Sequence, residues 1–231
     1  WIDDPSNEDE RFDRVKARKA LAHLEDFGLS PEDITHSMIN LSLAAMELRD
    51  RAREIALKIC KEPSGDLLFD RAAFRRLNPD MRHRIFSKAL MFVSSEPYPP
   101  RRDAMYDAEA AVIAGRNHTL HGCLILVTDM TIRITRELKA IERLSGATDA
   151  PWDTRWRLTG PHASDLEVRA LGEAVKDTPW RDTGLPRQSL LASPAIWQGN
   201  TLIAAPVAGL NEGWTAEATS RGNFADFLLS R

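Results

Sequence analysis

Arg11, Arg14 and Arg18 stand three and four positions apart, the spacing that puts side chains on one face of a helix. Three guanidiniums along one edge form a fork of donors for phosphate or carboxylate oxygens. Just upstream, Asp4 and Asn7 flank Pro5 in an Asp-Pro-Ser-Asn turn whose side chains can bond backbone amides. In an anion-binding reading Asn7 orients the turn while Arg14 and Arg18 meet the anion. Asp3, Asp9, Glu10 and Asp13 are close enough to pair with the same arginines, so self-neutralisation stays open beside it.

Cations gather again between Phe69 and Arg102. Arg71, Arg75, Arg76, Arg82, Arg84, Lys88, Arg101 and Arg102 face only Asp70, Asp80 and Glu96 there, whereas residues 1–33 run acidic. Such a stripe can hold phosphates on one surface, and it is also the pattern of a solvated helix face. Further on, Arg133 and Arg136 flank a strand-like run, and Arg155 and Arg157 alternate with Trp152 and Trp156. Arginines interleaved with aromatics suit RNA, while Trp156 and Trp197 are expected to fill a core. With a net charge of -3, the chain is not a generic nucleic-acid coat; any such contact must be local.

Other chemistries find no constellation. His118, His121 and Cys123 lack a fourth ligand at usable spacing, and an i, i+3 pair on a strand points to opposite faces, so structural histidines and no metal site are expected. There is no Gly-x-Ser-x-Gly elbow, and Asp165 with Glu167 reads as an ordinary acidic pair. No internal catalytic residue is expected.

The elements that must carry these residues fall into two textures. Up to Gly115 the chain reads as helical. Ser30 is an N-cap followed by Pro31, Glu32 and Asp33, and Ile34, Met38, Leu41, Ala45, Leu48, Ala52, Ile55 and Ile59 then recur at steps of three and four, which specifies one long helix. Pro63 to Asp66 breaks it. A second helix is expected over 68–77, a third after the Asn78-Pro79-Asp80 cap, and a last one from Arg101 to Gly115 beyond the stiff connector Pro97 to Pro100. After Gly115 the spacing predicts a hairpin over 119–136, a strand over 153–158, short helices over 166–175 and 186–191, and two strands around Gly199-Asn200. The expectation is therefore an α+β fold, with an N-terminal helical domain followed by a small mixed α/β domain. The boundaries fall at 1–29 for an entry motif and linker, 30–115 for the helical domain and 116–231 for the α+β domain.

At 231 residues, 43% hydrophobic and 28% charged, the chain has the composition of a folded globular protein and enough length for one large core or two modest ones. No apolar run nears the roughly 20 residues of a membrane span, no leader pattern is seen, and Cys60 and Cys123 cannot build a disulfide framework. A cytoplasmic location without membrane contact is the expectation.

The opening run Trp1-Ile-Asp-Asp-Pro-Ser-Asn7, with Phe12 and the arginines after it, resembles the motif that closes the catalytic domain of tRNA(Ile)-lysidine synthetases. Arg116-Asn-His-Thr-Leu-His-Gly-Cys123 looks like a downstream Thr-Leu-Gly-Gly-Cys-type segment of that family, with His121 where the family often has Gly, and Ile132-Arg-Ile-Thr-Arg-Glu137 looks like the strand that follows it. The resemblance implies the C-terminal portion of a longer enzyme. That enzyme would use ATP, Mg2+ and lysine to adenylate the wobble cytidine of tRNA(Ile) and let the lysine amine displace AMP. It also implies that Asn7, Arg14 and Arg18 lie near the active site, while the basic stripe and the strand-flanking arginines make Arg101, Arg102, Arg133 and Arg136 candidates for tRNA contact. The Ser-Gly-Gly-x-Asp-Ser loop that holds ATP in such enzymes is absent; Ser145-Gly-Ala-Thr-Asp149 lacks its second Gly and final Ser. This stretch alone is therefore expected to bind no cofactor and to be inactive, with tRNA(Ile) as partner and a homodimer possible. The rival reading is a stand-alone helical and α+β protein-interaction module without an RNA role.

Overall fold

A computed structural model describes residues 11–218 and 222–230. The Asp-Pro-Ser-Asn turn, and Asn7 with it, lies outside the described residues. The chain divides into two compact units, residues 1–49 and 50–231.

In the first unit, α1 (Asp13–Asp26) carries Arg14 and Arg18 exposed, with Val15 buried. The helix α2 (Pro31–Ile59) begins in this unit and ends in the second. Its start is a reciprocal cap: Ser30 Oγ accepts from the Asp33 backbone N–H at 3.1 Å, and Asp33 accepts from the Ser30 backbone N–H at 3.1 Å. The apolar stripe expected from Ile34 to Ile59 behaves differently along its length. Ala52 is fully buried, whereas Met38 and Leu41 are 63% and 71% exposed. One long helix thus presents apolar side chains to solvent in the first unit and buries small ones in the second.

The second unit is built around an antiparallel sheet. The strands β1 (Cys60–Lys61) and β2 (Leu67–Asp70) precede α3 (Arg71–Arg76), α4 (Pro79–Ser94) and α5 (Arg102–Ile113), and β3 (His118–Leu120), β4 (Cys123–Val127) and β5 (Thr131–Arg136) follow. Sheet order is β1-β2-β5-β4-β3. Leu67 and Phe69 register opposite Ile134 and Ile132, so alternate residues face one side. There they pack with Ile85, Phe86 and Leu90 of α4, Met105 and Val112 of α5, and Ala52 and Ala56 of α2. Each fully buried side chain of this size stabilises by about 1.5–3 kcal/mol.

Strand β2, from the helical stretch, lies between β1 and β5 in a sheet completed by residues 118–136, so helices and hairpin share one core. Leu68 and Phe69 belong to a strand and not to a helix start. Asp70 caps α3 in their place, accepting from the Ala73 N–H at 2.7 Å.

The rest of the unit follows as α6 (Leu138–Ile141), β6 (Ser145–Ala147), β7 (Arg157–Thr159), β8 (Glu167–Ala170), α7 (Arg187–Leu191), β9 (Pro194–Gln198), β10 (Thr201–Ala204), β11 (Thr215–Glu217) and α8 (Phe224–Phe227). A second antiparallel sheet has the order β10-β9-β8-β6, and β11 pairs with β7. Residues 166–175, expected as a helix, instead supply β8 and a 3-10 turn from Gly172 to Asp177. Val168 is buried between two neighbouring strands, and cross-strand pairing overrides the local spacing. The first half of the strand expected over 153–158 is a tight turn, with Asp153 at φ 48° and Thr154 at φ 51°, and the second half leads into β7. Trp156 is buried as expected, while Trp197 is only partly so.

Candidate nucleic-acid interface

Sequence spacing nominated four arginines of the second unit, and the structure treats them as two pairs. On β5, Arg133 donates to Asp66 Oδ2 at 2.8 Å, and the same carboxylate oxygen accepts from Ser189 Oγ at 2.5 Å. Two residues along, Arg136 donates from Nε to Asp153 Oδ2 at 3.0 Å, from Nη2 to Oδ1 at 3.1 Å and from Nη1 to the Gly122 carbonyl at 3.0 Å. Their side chains are only 14% and 11% exposed. Both are candidate tRNA contacts by sequence. Their donors are spent on internal acceptors, and presenting them to a phosphate would leave buried carboxylates uncompensated.

Arg155, also nominated as an RNA contact beside Trp156, goes the same way. It is buried, donates to the Gly65 carbonyl, and sits 3.9 Å from Asp153. Burial lowers its pKa and raises that of Asp66, the latter opposed by hydrogen bonds from Ser189, Thr135 and Arg133. This charged cluster ties β2 and β5 to the loop before β7 and to α7.

Arg101 and Arg102 behave oppositely. Both are exposed where the chain leaves Pro97-Tyr98-Pro99-Pro100 and enters α5. A cation at a helix N-terminus gains nothing from the helix dipole, so this placement makes no contribution to α5 itself. Nearby, α4 turns Arg84, Ser87, Lys88 and Met91 toward the connector, and with Pro97, Tyr98 and Pro99 they border a groove of about 500 Å³. Arg84 Nη2 stands 3.6 Å from Asp80, and Lys88 Nζ donates to the Ser230 carbonyl at 3.1 Å. Asp80 and His83 also line the groove; His83 Nδ1 lies 2.5 Å from Glu109 Oε1, and its ring is 5.6 Å from that of the exposed Tyr106.

Tyr98 was missed. It is 77% exposed between two prolines, a position read from sequence only as part of a stiff connector. An aromatic ring flanked by prolines is a displayed ring, and that signal was available. Burial lowers the pKa of His121, in the turn between β3 and β4. At this turn His121 has φ 59° and Gly122 φ 67°, both in the left-handed region that tight hairpin turns need. Gly suits both positions, which gives a physical reason for a glycine in place of His121.

Ser145 to Ala147 form the edge strand β6 paired with β8, not a phosphate loop. No cluster of three or more His, Cys, Asp or Glu able to hold a metal exists among the described residues. Cys123 is fully buried and its thiol is pushed up to about 12 by burial, so it is no nucleophile. Among the described residues no helix is long and apolar enough to cross a membrane.

No family model matches the chain. Curated relatives do. The chain is 42% identical over 233 residues to the tRNA(Ile)-lysidine synthase of Ruegeria pomeroyi, an alignment covering all of this chain and 56% of that protein. It is 26% identical over 226 residues to the tRNA(Ile)-lysidine synthase of Brucella anthropi, covering 88% of this chain and 47% of the relative. It is 25% identical over 168 residues to that of Anaplasma marginale, covering 68% and 36%. The chain thus spans about half the length of the curated relatives it matches.

Proposed function

Because the chain is a partial-length homologue of the tRNA(Ile)-lysidine synthases, we propose that it is the C-terminal, tRNA-positioning part of such an enzyme. The complete protein would convert the wobble cytidine of tRNA(Ile) to lysidine with ATP, Mg2+ and lysine as cosubstrates, and these 231 residues, which lack the ATP loop, would carry out no adenylation alone. The observation that supports a positioning role is the exposure of Arg101 and Arg102 beside the groove on α4, while Arg133 and Arg136 serve the interior. Remote binding energy of this kind fixes the reacting end of a substrate and is felt in the chemical step. Arg14 and Arg18, four residues apart on α1 and exposed, are proposed to face the tRNA or nucleotide near the active site.

The test is binding of the chain to unmodified tRNA(Ile) and to a non-cognate tRNA across a salt series, with Arg101→Ala/Arg102→Ala alongside. The double variant should flatten the dependence of log affinity on log salt by about two, one for each lost phosphate contact. Failure to bind either tRNA at low salt overturns the reading. A second reading, docking of a protein partner, is favoured by one observation: Met38, Leu41, Leu43 and Met46 on α2 are all more than half exposed. It predicts no tRNA binding at any salt.

A further inference from the structure

We infer that the groove between α4 and the Pro97–Pro100 connector holds one unpaired nucleotide of an RNA, its base stacked on Tyr98 and its phosphate met by Arg84; the RNA as occupant rests on the tRNA reading above. Tyr98 is held out, not loosely dangling. Proline at 97 and 99 fixes the backbone torsion on each side of it. A ring kept exposed by such restraints loses little conformational entropy when a flat partner settles on it.

The opposite wall has the matching chemistry. Arg84, Ser87, Lys88 and Met91 fall at steps of three, one and three along α4 and so share one face. Met91 and the proline rings give an apolar lining, and Arg84 supplies positive charge at an edge shared with Asp80 and His83. Arg84 is held only loosely by Asp80 at 3.6 Å, a partner that is itself largely exposed. Lys88, already donating to Ser230, adds positive field. An apolar slot with an aromatic platform and a cation at its rim suits a base and its phosphate. A duplex keeps its bases stacked inside and can offer the groove only backbone. A volume of about 500 Å³ suits a ligand of small-molecule size.

The experiment measures anisotropy of a labelled, unstructured RNA oligomer and of a duplex of the same sequence, titrated with the chain at low salt. Tyr98→Ala should weaken the unpaired oligomer roughly tenfold and leave the duplex unchanged, since stacking is lost only where a base is free. Tyr98→Phe, which keeps the ring, should bind as the unchanged chain does and shows that the site still folds. Arg84→Ala should lower the salt slope for the oligomer by about 0.7. Equal losses for both RNAs, or no loss with Tyr98→Ala, overturn the inference; the second outcome leaves the groove to a peptide or another copy of the chain. If tRNA binding responds to Arg101 and Arg102 but the oligomer ignores Tyr98, this inference fails while the positioning role stands.

Discussion

Arg136 grips Asp153 through two parallel hydrogen bonds, and the same guanidinium bonds the Gly122 carbonyl, so a single side chain joins β5, the turn before β4 and the loop before β7. Both partners are nearly inaccessible to water. A pair of this kind is costly to break from one side only, because a buried charge is left behind. Arg136→Ala is expected to lower stability by about 3 kcal/mol, the low end for such a loss, since Arg155 at 3.9 Å still partly compensates Asp153. Urea unfolding measures it. Unchanged stability would mean that water reaches the cluster and that Arg136 is after all available for RNA.

That arginine also shows where sequence reading stops. Its strand was legible, because Thr131 to Arg136 alternates and the hairpin over 119–136 forms as the spacing dictates. Its role was not. Asp153 is 17 positions away and Asp66 is 67 from Arg133, and nothing in local spacing announces such pairings. The long helix, the caps at Ser30 and Asn78 and the connector before Arg101 rest on neighbouring residues and were readable. Strand β2 and strand β8 were not, because their pairing partners lie far along the chain. Tyr98 lies between these cases: its neighbours foretold display, but the groove facing it comes from α4.

Acid should loosen the C-terminal helix. The Asp226 carboxyl is held below its ordinary pKa of 3.8, first by a hydrogen bond from the Asn223 side chain and then by one from Arg53. A depressed folded pKa means that its contribution is present above 3.8 and is lost as pH falls through the depressed value. Carboxyl carbon NMR should place the Asp226 midpoint below 3.8. Asn223→Ala should raise that midpoint more than Arg53→Ala, and the reverse order would refute this ranking of causes. Asp226→Asn should remove this part of the acid sensitivity.

Both cysteines should resist alkylation while the chain is folded. Burial pushes Cys60 and Cys123 up to about 12, with Glu62 adding to the effect at Cys60. At pH 8 roughly one thiol in ten thousand is then ionised, far below a free cysteine. Mass spectrometry after iodoacetamide should show no modification in buffer and two in denaturant. Labelling of Cys123 in the native state would show that the sheet opens where Arg136 is supposed to lock it.

The turn between β3 and β4 should show backbone strain acting in both directions. Gly122 has φ 67°, and a Cβ there would stand 2.5 Å from Arg136 Nη1. Gly122→Ala therefore combines an unfavourable backbone with a clash against a guanidinium that cannot swing away without leaving Asp153. A loss of about 1–3 kcal/mol is expected, measured by the urea midpoint. His121→Gly acts in the other direction on the backbone, relieving a left-handed non-glycine residue at φ 59° that costs about 1 kcal/mol. Stability should therefore hold or rise, measured by the same urea midpoint. A clear fall in the midpoint would show that the His121 side chain contributes more than its backbone costs.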